Sequence, residues 1–119
     1  MIAFHRVGLE YPRTGTKALY NVSLEVKKGE FVYVVGHSGA GKSTLLALIL
    51  RRLLPTQGAV YFAGQNLKFL RGDQVALHRR RIGMVFQDHR LLSDMTVEEN
   101  LAFVLRVQGI PPREWGERI

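Results

Sequence analysis

The part of the sequence that most constrains the fold is an apolar run, a glycine-rich loop and a second apolar stretch in direct succession. Residues 31–35 read FVYVV, residues 36–43 read GHSGAGKS, and residues 42–54 read KSTLLALILRRLL. A short β-branched and aromatic run predicts a strand buried on both faces, as in the middle of an α/β sheet. The second stretch predicts a helix, which Pro55 should end. Its apolar stripe consists of Leu45, Leu46, Ile49 and Leu53.

The loop fits the pattern G-x-x-x-x-G-K-[ST], the P-loop or Walker A motif. Its glycines allow positive φ angles and a close approach to a ligand. The turning backbone then points successive N–H groups inward, and the helix start adds its own free N–H groups, so the segment is suited to phosphate. The predicted nucleotide-binding residues are Gly36, His37, Ser38, Gly39, Ala40, Gly41, Lys42, Ser43 and Thr44.

Within this set the side chains have separate expected tasks. Lys42 is expected to reach the β- and γ-phosphates of ATP, and the Ser43 hydroxyl is expected to ligate Mg²⁺. Thr44 is expected to contact a further phosphate. The alternative is a glycine-rich turn that only caps a structural helix, and this alternative explains neither the lysine nor the full spacing.

The rest of the chain predicts further strands and helices, which give an α/β fold class. Alternating apolar residues predict strands over 2–11 and 18–26, and the turn at 12–15 makes an antiparallel pair plausible. Residues 58–62 and 82–86 are also predicted strands. Helices are predicted over 73–81 and 97–108, and a further helix is predicted to begin in the last seven residues, REWGERI.

The composition excludes some classes of function and leaves others open. There is no cysteine, so thiolate catalysis and cysteine metal sites are excluded, and the four histidines have no metal-ligand spacing. The net charge is +7, and residues 51–90 carry eight basic and two acidic residues. Nucleic acid, anionic lipid or a phosphorylated ligand would each suit such a charge. No signal-peptide pattern and no apolar run of roughly 18–20 residues occurs, so we expect a cytosolic chain.

Three more features gain meaning if a nucleotide binds. Tyr11 ends the first predicted strand and could stack on adenine, although a packing role is more common for such a residue. Gln87 follows the predicted strand 82–86 and could reach Mg²⁺ or the attacking water, although a strand-end glutamine is usually a loop residue. The arginine run 79–81 could bind phosphate or lipid, but a solvated helix face is the favoured interpretation.

Four segments together resemble the N-terminal half of an ABC-type ATPase domain. They are Tyr11, the loop GHSGAGKST at 36–44, RRRIGMVFQDHRLL at 79–92 and MTVEENL at 95–101. The resemblance extends over essentially the whole chain and is greatest to members that act in bacterial cell division. It implies a P-loop NTPase fold whose N-terminal half combines an antiparallel β subdomain with the P-loop strand and helix.

The resemblance also implies roles and partners. Tyr11 would be the adenine-stacking aromatic residue, and Gln87 would be the loop glutamine that senses the γ-phosphate through Mg²⁺ and water. Ser43 and Gln87 would then be the metal-contacting residues, and Gln87 the catalytic one. Residues 88–101 would contact a membrane-protein partner at the inner face of the plasma membrane. Full-length members are expected to form homodimers, and no nucleic acid is expected to bind.

The rest of the family pattern does not occur in these 119 residues. The sequence contains no LSGGQ-like signature, no apolar strand ending in Asp-Glu (the Walker B pattern) and no switch-histidine segment after it. We therefore expect residues 1–119 to be the N-terminal portion of a nucleotide-binding domain that binds Mg-ATP but lacks residues for hydrolysis. We also expect the strand 31–35 to lack most of its neighbours and to leave apolar surface exposed.

Other interpretations remain open at this point. The chain could be a non-catalytic fragment that docks on a membrane partner through residues 88–101. It could be a complete small P-loop protein such as a metabolite kinase, although no second acidic metal ligand or lid-like arginine cluster is evident. It could also be a small basic nucleic-acid-binding protein, although it lacks the interleaved aromatic residues of single-strand binders.

Overall fold

The computed structural model describes all 119 residues, which form two compact units, Met1–Arg79 and Arg80–Ile119. The strands are β1 (Ile2–Tyr11), β2 (Thr16–Val26), β3 (Gln57–Phe62) and β4 (Gln65–Asn66). The α-helices are α1 (Lys42–Ile49), α2 (Asp73–Arg80), α3 (Val97–Val107) and α4 (Trp115–Arg118). Short 3₁₀ turns lie at Leu67–Phe69 and Pro112–Glu114.

The strands of the first unit form one antiparallel sheet in the order β2-β1-β3-β4. A tight turn joins β1 to β2, in which the N–H of Gly15 donates to the carbonyl of Tyr11 at 2.8 Å. Gly15 has a φ of 65°, a conformation that glycine adopts without steric cost. The predicted antiparallel pair is confirmed, and so is the predicted strand over 58–62, which begins one residue earlier.

The core of this unit lies between one face of the sheet and helix α1. Phe4, Val7 and Val60 are buried on that face, and Leu48 of α1 packs against them. Leu67 and Leu70 close the cluster from the 3₁₀ turn after β4. The opposite face of the sheet carries mostly exposed polar residues, as expected for an antiparallel sheet covered on one side.

Helix α1 ends earlier than its apolar pattern predicts, at Ile49 instead of residue 54. The N–H of Arg52 donates to the carbonyl of Ala47, and the N–H of Arg51 donates to that of Leu48. With the φ of Arg51 at 56°, these two bonds form a Schellman motif, which closes the helix before Pro55 is reached. Leu53 still packs against the core from the segment that follows.

The predictions of strands over 31–35 and 82–86 are wrong for this structure. Neither segment forms a strand or pairs with one, and the five side chains of 31–35 are 51–85% exposed. An extended segment becomes a strand only when its N–H and C=O groups bond to a neighbour. None of the four strands lies beside either segment in the sheet, so the apolar run at 31–35 is left uncovered, as the sequence led us to expect.

The second unit contains the predicted helix 97–108 as α3, and the chain then continues into α4. Thr96 and Glu99 form a capping box at the start of α3. The side chain of Asn100 bonds to the backbone of Leu92 through both its oxygen and its nitrogen, which ties the preceding loop to the helix. A membrane-spanning helix of sufficient length and hydrophobicity is not found among α1 to α4.

Candidate phosphate-binding site

The glycine-rich loop is held against strand β2 by a close backbone approach at Gly41. This residue has a φ of 98°, and a Cβ atom there would lie 2.6 Å from the carbonyl oxygen of Ala18 and 2.9 Å from Cδ2 of Leu19. No other residue type fits such a position without displacing β2. The second glycine of the motif therefore fixes where the loop meets the sheet and where α1 begins.

The lysine of the motif folds back over the start of its own loop. The Nζ atom of Lys42 donates to the carbonyl oxygens of Gly36 and His37, at 2.6 Å each. The N–H of Ala40 donates to the same His37 carbonyl at 3.1 Å, so the loop forms a tight turn. The ammonium group is thus held at the mouth of the loop, where a phosphate would meet it.

The first turn of α1 presents donors that no side chain caps. Gly41 precedes the helix and has no side-chain cap bond, and no acidic residue lies in the first turn. Helix N–H groups without a partner carry a partial positive charge and are suited to an anion. Ser43 is exposed beside them, and its hydroxyl has no hydrogen-bond partner in the protein. Phosphate oxygens and this hydroxyl are the oxygen ligands that Mg²⁺ prefers.

Tyr11 and Thr44 lie together behind this turn. The hydroxyl of Tyr11 is 3.0 Å from Oγ1 of Thr44, which is buried in α1. The bond connects the end of β1 to the start of the P-loop helix, and Tyr11 also packs against the core cluster. The structure therefore brings these two predicted site residues together. Adenine stacking by Tyr11 and phosphate contact by Thr44 stay predictions.

Gln87 belongs to the second unit and is exposed at a turn that follows residues 82–86. Beside it, Arg90 lies 4.0 Å over the ring of Phe86 and forms an ion pair with Asp88 at 3.2 Å. The φ angles of His89 and Arg90 are 56° and 51°, so the loop turns sharply after Gln87. The role of Gln87 at Mg²⁺ stays a prediction.

The sequence-based interpretation missed the role of α2, whose basic residues cap the end of α1. The guanidinium of Arg79 donates to the carbonyls of Leu50 at 2.9 Å and Arg51 at 3.0 Å. The Nε2 atom of buried His78 lies 2.7 Å from the carbonyl of Ile49. Cations near a helix C-terminus are favourable because its free carbonyls carry partial negative charge. All three arginines of the run 79–81 are exposed, as the favoured interpretation of a solvated face predicts, and Arg79 in addition bonds to the end of α1.

The fold and the loop define a class of protein, and comparison with known families identifies it. Residues 19–118 match the ABC transporter family model. The chain belongs to the ABC transporter family.

Two relatives with known names are cell division ATP-binding proteins called FtsE. The protein from Bacillus subtilis (strain 168) is 44% identical over 119 residues, covering 100% of this chain and 52% of the relative. The protein from Escherichia coli (strain K12) is 44% identical over 109 residues, covering 92% of this chain and 49% of the relative. The chain thus spans about half the length of these relatives.

A solved structure gives the same result for the fold. The ATP-binding cassette MJ0796, in a dimeric post-hydrolysis state with ADP and Pi, matches with a TM-score of 0.87 and 35% identity. The match covers 99% of this chain and 53% of that one. The predicted fold class, an ABC-type α/β ATPase half with an antiparallel subdomain, is confirmed.

Proposed function

We propose that this chain binds Mg-ATP through residues 36–44, and that Lys42, Ser43 and the first N–H groups of α1 hold the phosphates and the metal. The observation that carries the proposal is the loop itself, with its ammonium held by two carbonyls and its helix start left uncapped. Membership of the ABC transporter family and the ADP and Pi in a similar cassette support it.

In this proposal each residue has a limited task. Lys42 leaves the carbonyls of Gly36 and His37 and turns its charge to the β- and γ-phosphates. Ser43 gives its hydroxyl to Mg²⁺, and the ion neutralises phosphate charge when it is bound. The Tyr11 ring lies at the end of β1, where it would stack on adenine while its hydroxyl steadies Thr44. Gln87 would contact Mg²⁺ and the attacking water.

The biological role that we propose follows the FtsE relatives. The whole protein would act as an ATP-binding subunit in bacterial cell division, at the inner face of the plasma membrane. Its partner would be a membrane protein resembling FtsX, and two ATP-binding subunits would pair as the MJ0796 cassette does. Residues 88–101 would form part of the contact with the membrane protein.

The test is titration calorimetry of the 119-residue chain with Mg-ATP. We expect saturable binding that Lys42→Ala weakens by at least about tenfold, since a charge-assisted hydrogen bond contributes about 1.5–3 kcal/mol. Lys28→Ala is the matched control, because Lys28 is exposed in the turn after β2 and has no hydrogen-bond partner. Equal affinities of both variants, or no heat from the folded wild-type chain, would contradict the proposal.

We further propose that these 119 residues hydrolyse ATP very slowly or not at all. Phosphoryl transfer depends on positioned charge around the γ-phosphate, and the chain has neither the signature nor an apolar strand ending in Asp-Glu. Phosphate release would be measured beside Lys42→Ala. A wild-type rate near that of a full-length FtsE relative would refute this part while leaving ATP binding intact.

A second candidate function is that of a non-catalytic fragment that docks on a membrane protein. Helix α3 favours it, because Leu101, Phe103, Val104 and Val107 are all between 42% and 51% exposed. Co-purification with an FtsX-like protein by a Lys42→Ala chain that no longer binds ATP would support this function.

A further inference from the structure

The outer face of the sheet in the first unit contains a hollow that the P-loop does not use. It is shallow and open to solvent, and it is formed by β1, β2 and β3. Six of its lining residues present polar or aromatic groups: His5, Arg6, Tyr20, Asn21, Ser23 and Gln57.

The hollow forms where three adjacent strands, β1, β2 and β3, have irregular backbone conformations at neighbouring positions. Arg6 in β1, Asn21 in β2 and Gly58 in β3 have φ angles of 47°, 46° and 74°. The pairing of β1 shifts register against both neighbours at this level. Bulges of this kind bend strands and redirect side chains. A Cβ on Gly58 would collide with the carbonyl oxygens of His5 and Arg6, so the glycine is required there.

Of the two residues that are not glycines, Arg6 adopts this conformation at a cost, whereas Asn21 is of a type that tolerates it. Left-handed φ angles in non-glycine residues are strained and are enriched at binding and catalytic sites. The bulges place His5 with Arg6, and Tyr20 with Asn21, as consecutive exposed residues on their strands. None of these four side chains is buried. They all line the open hollow and do not contribute to the core.

The charge and the hydrogen-bonding groups that line the hollow indicate which chemical group it would bind. No Asp or Glu lines it. The guanidinium of Arg6 has no hydrogen bond or ion pair to the protein, whereas its backbone N–H donates to Oγ of Ser23 at 3.0 Å. The amides of Asn21 and Gln57 add further donors. A guanidinium matches the planar oxygens of a carboxylate or the oxygens of a phosphate.

We propose that this hollow is a second binding site, for a small organic anion whose carboxylate or phosphate group pairs with Arg6. The ring of Tyr20, which is 82% exposed, would cover the planar body of that molecule. The site lies on strands β1, β2 and β3 and uses none of residues 36–44.

The test is a nitrogen-15 NMR titration of the 119-residue chain with two probes, inorganic phosphate and benzoate. The signals to follow are the Nε–H of Arg6 and the side-chain amides of Asn21 and Gln57. We expect these signals to shift and saturate, and the probe that binds more tightly identifies the anionic group. The backbone amides of Gly39 and Gly41 separately report any phosphate in the P-loop, so the two sites are distinguished in one experiment.

Variants decide whether the binding is specific. Arg6→Gln should weaken the better probe by at least about tenfold, because it removes the charged fork. Arg13→Gln is the matched control, an exposed arginine in the β1–β2 turn without an ion pair. Tyr20→Ala should weaken benzoate and leave phosphate unchanged, and it keeps the proposal testable if Arg6→Gln does not fold. Absence of saturable shifts at Arg6 with both probes, or equal loss in both arginine variants, would overturn the proposal and leave the bulges as a feature of the fold alone.

Discussion

Gly41 couples the glycine-rich loop to the sheet, so its replacement should affect both folding and binding. Gly41→Ala would force a Cβ toward the carbonyl of Ala18 and the side chain of Leu19, in a backbone conformation with a φ of 98°. We expect a loss of about 2–4 kcal/mol in the free energy of unfolding, from the strained φ and the collision together. Urea denaturation followed by circular dichroism measures it.

Gly39→Ala separates these two causes. Gly39 has a φ of 82°, but a Cβ there would meet nothing within 4 Å. Only the cost of the left-handed conformation remains, which is about 1–2 kcal/mol. If Gly41→Ala costs no more than Gly39→Ala, the close approach of the loop to β2 is not a constraint on this position.

The bonds from Arg79 of α2 to the end of α1 should contribute to the stability of the first unit. Arg79→Ala removes two bonds to the C-terminal carbonyls of α1, and we expect it to destabilise the first unit by about 1 kcal/mol. Arg80→Ala is the neighbour control, since Arg80 is exposed and bonds to no side chain or carbonyl, and its effect should stay within about 0.5 kcal/mol. Thermal unfolding of both variants compares them, and equal melting temperatures would show that the cap on α1 contributes nothing.

The stability of helix α3 should depend on pH because its capping box contains the titratable residue Glu99. The backbone N–H of Thr96 donates to Oε2 of Glu99 at 2.7 Å, and this bond, with the Thr96 side chain, holds the pKa of Glu99 below its ordinary value of 4.5. A pKa that is lower in the folded state contributes stability above the unfolded pKa and loses it as pH falls through the folded one.

The helix content of α3 should therefore fall as the pH is lowered from about 6 to below Glu99's folded pKa. Carbon-13 titration of the Glu99 carboxyl group gives its pKa, and circular dichroism follows the helix. Glu99→Gln should remove this acid transition, whereas Glu98→Gln should keep it because Glu98 is not part of the box. A Glu99 carboxyl that titrates at or above 4.5 would contradict the bond as drawn.

Elements that depend on local signals could be predicted from the sequence, and elements that depend on distant partners could not. Strands β1 and β2 were predictable, because their alternation and the turn at 12–15 are contained in one short stretch. The position of Gly41 in the loop was equally predictable from the motif. The state of residues 31–35 was not, because an apolar run does not say whether a neighbouring strand is present to pair with it. The bonds from Arg79 to the end of α1 join residues that are 28 and 29 positions apart in the sequence. No local sequence pattern predicts such a contact.

At the scale of the whole molecule, the uncovered run at 31–35 should decide how the 119-residue chain behaves in solution. Phe31, Tyr33 and Val35 are 80–85% exposed in a segment that pairs with no strand. Such a segment can pair with the same segment of a second chain, because both apolar area and backbone bonds are gained. We expect the scattering mass to rise with protein concentration, although the net charge of +7 opposes association.

A charge in the middle of this segment should reverse that behaviour. Tyr33→Lys places a cation where two copies of the segment would meet, and light scattering should then report a constant mass at concentrations where the wild-type chain associates. Phe69→Lys is the control, since Phe69 is also exposed but lies in a short 3₁₀ turn and not in the apolar run. Equal suppression by both substitutions would assign the effect to net charge. A mass that still rises with concentration in Tyr33→Lys, as in the wild-type chain, would place the associating surface elsewhere, and the exposed apolar residues of α3 would be substituted next.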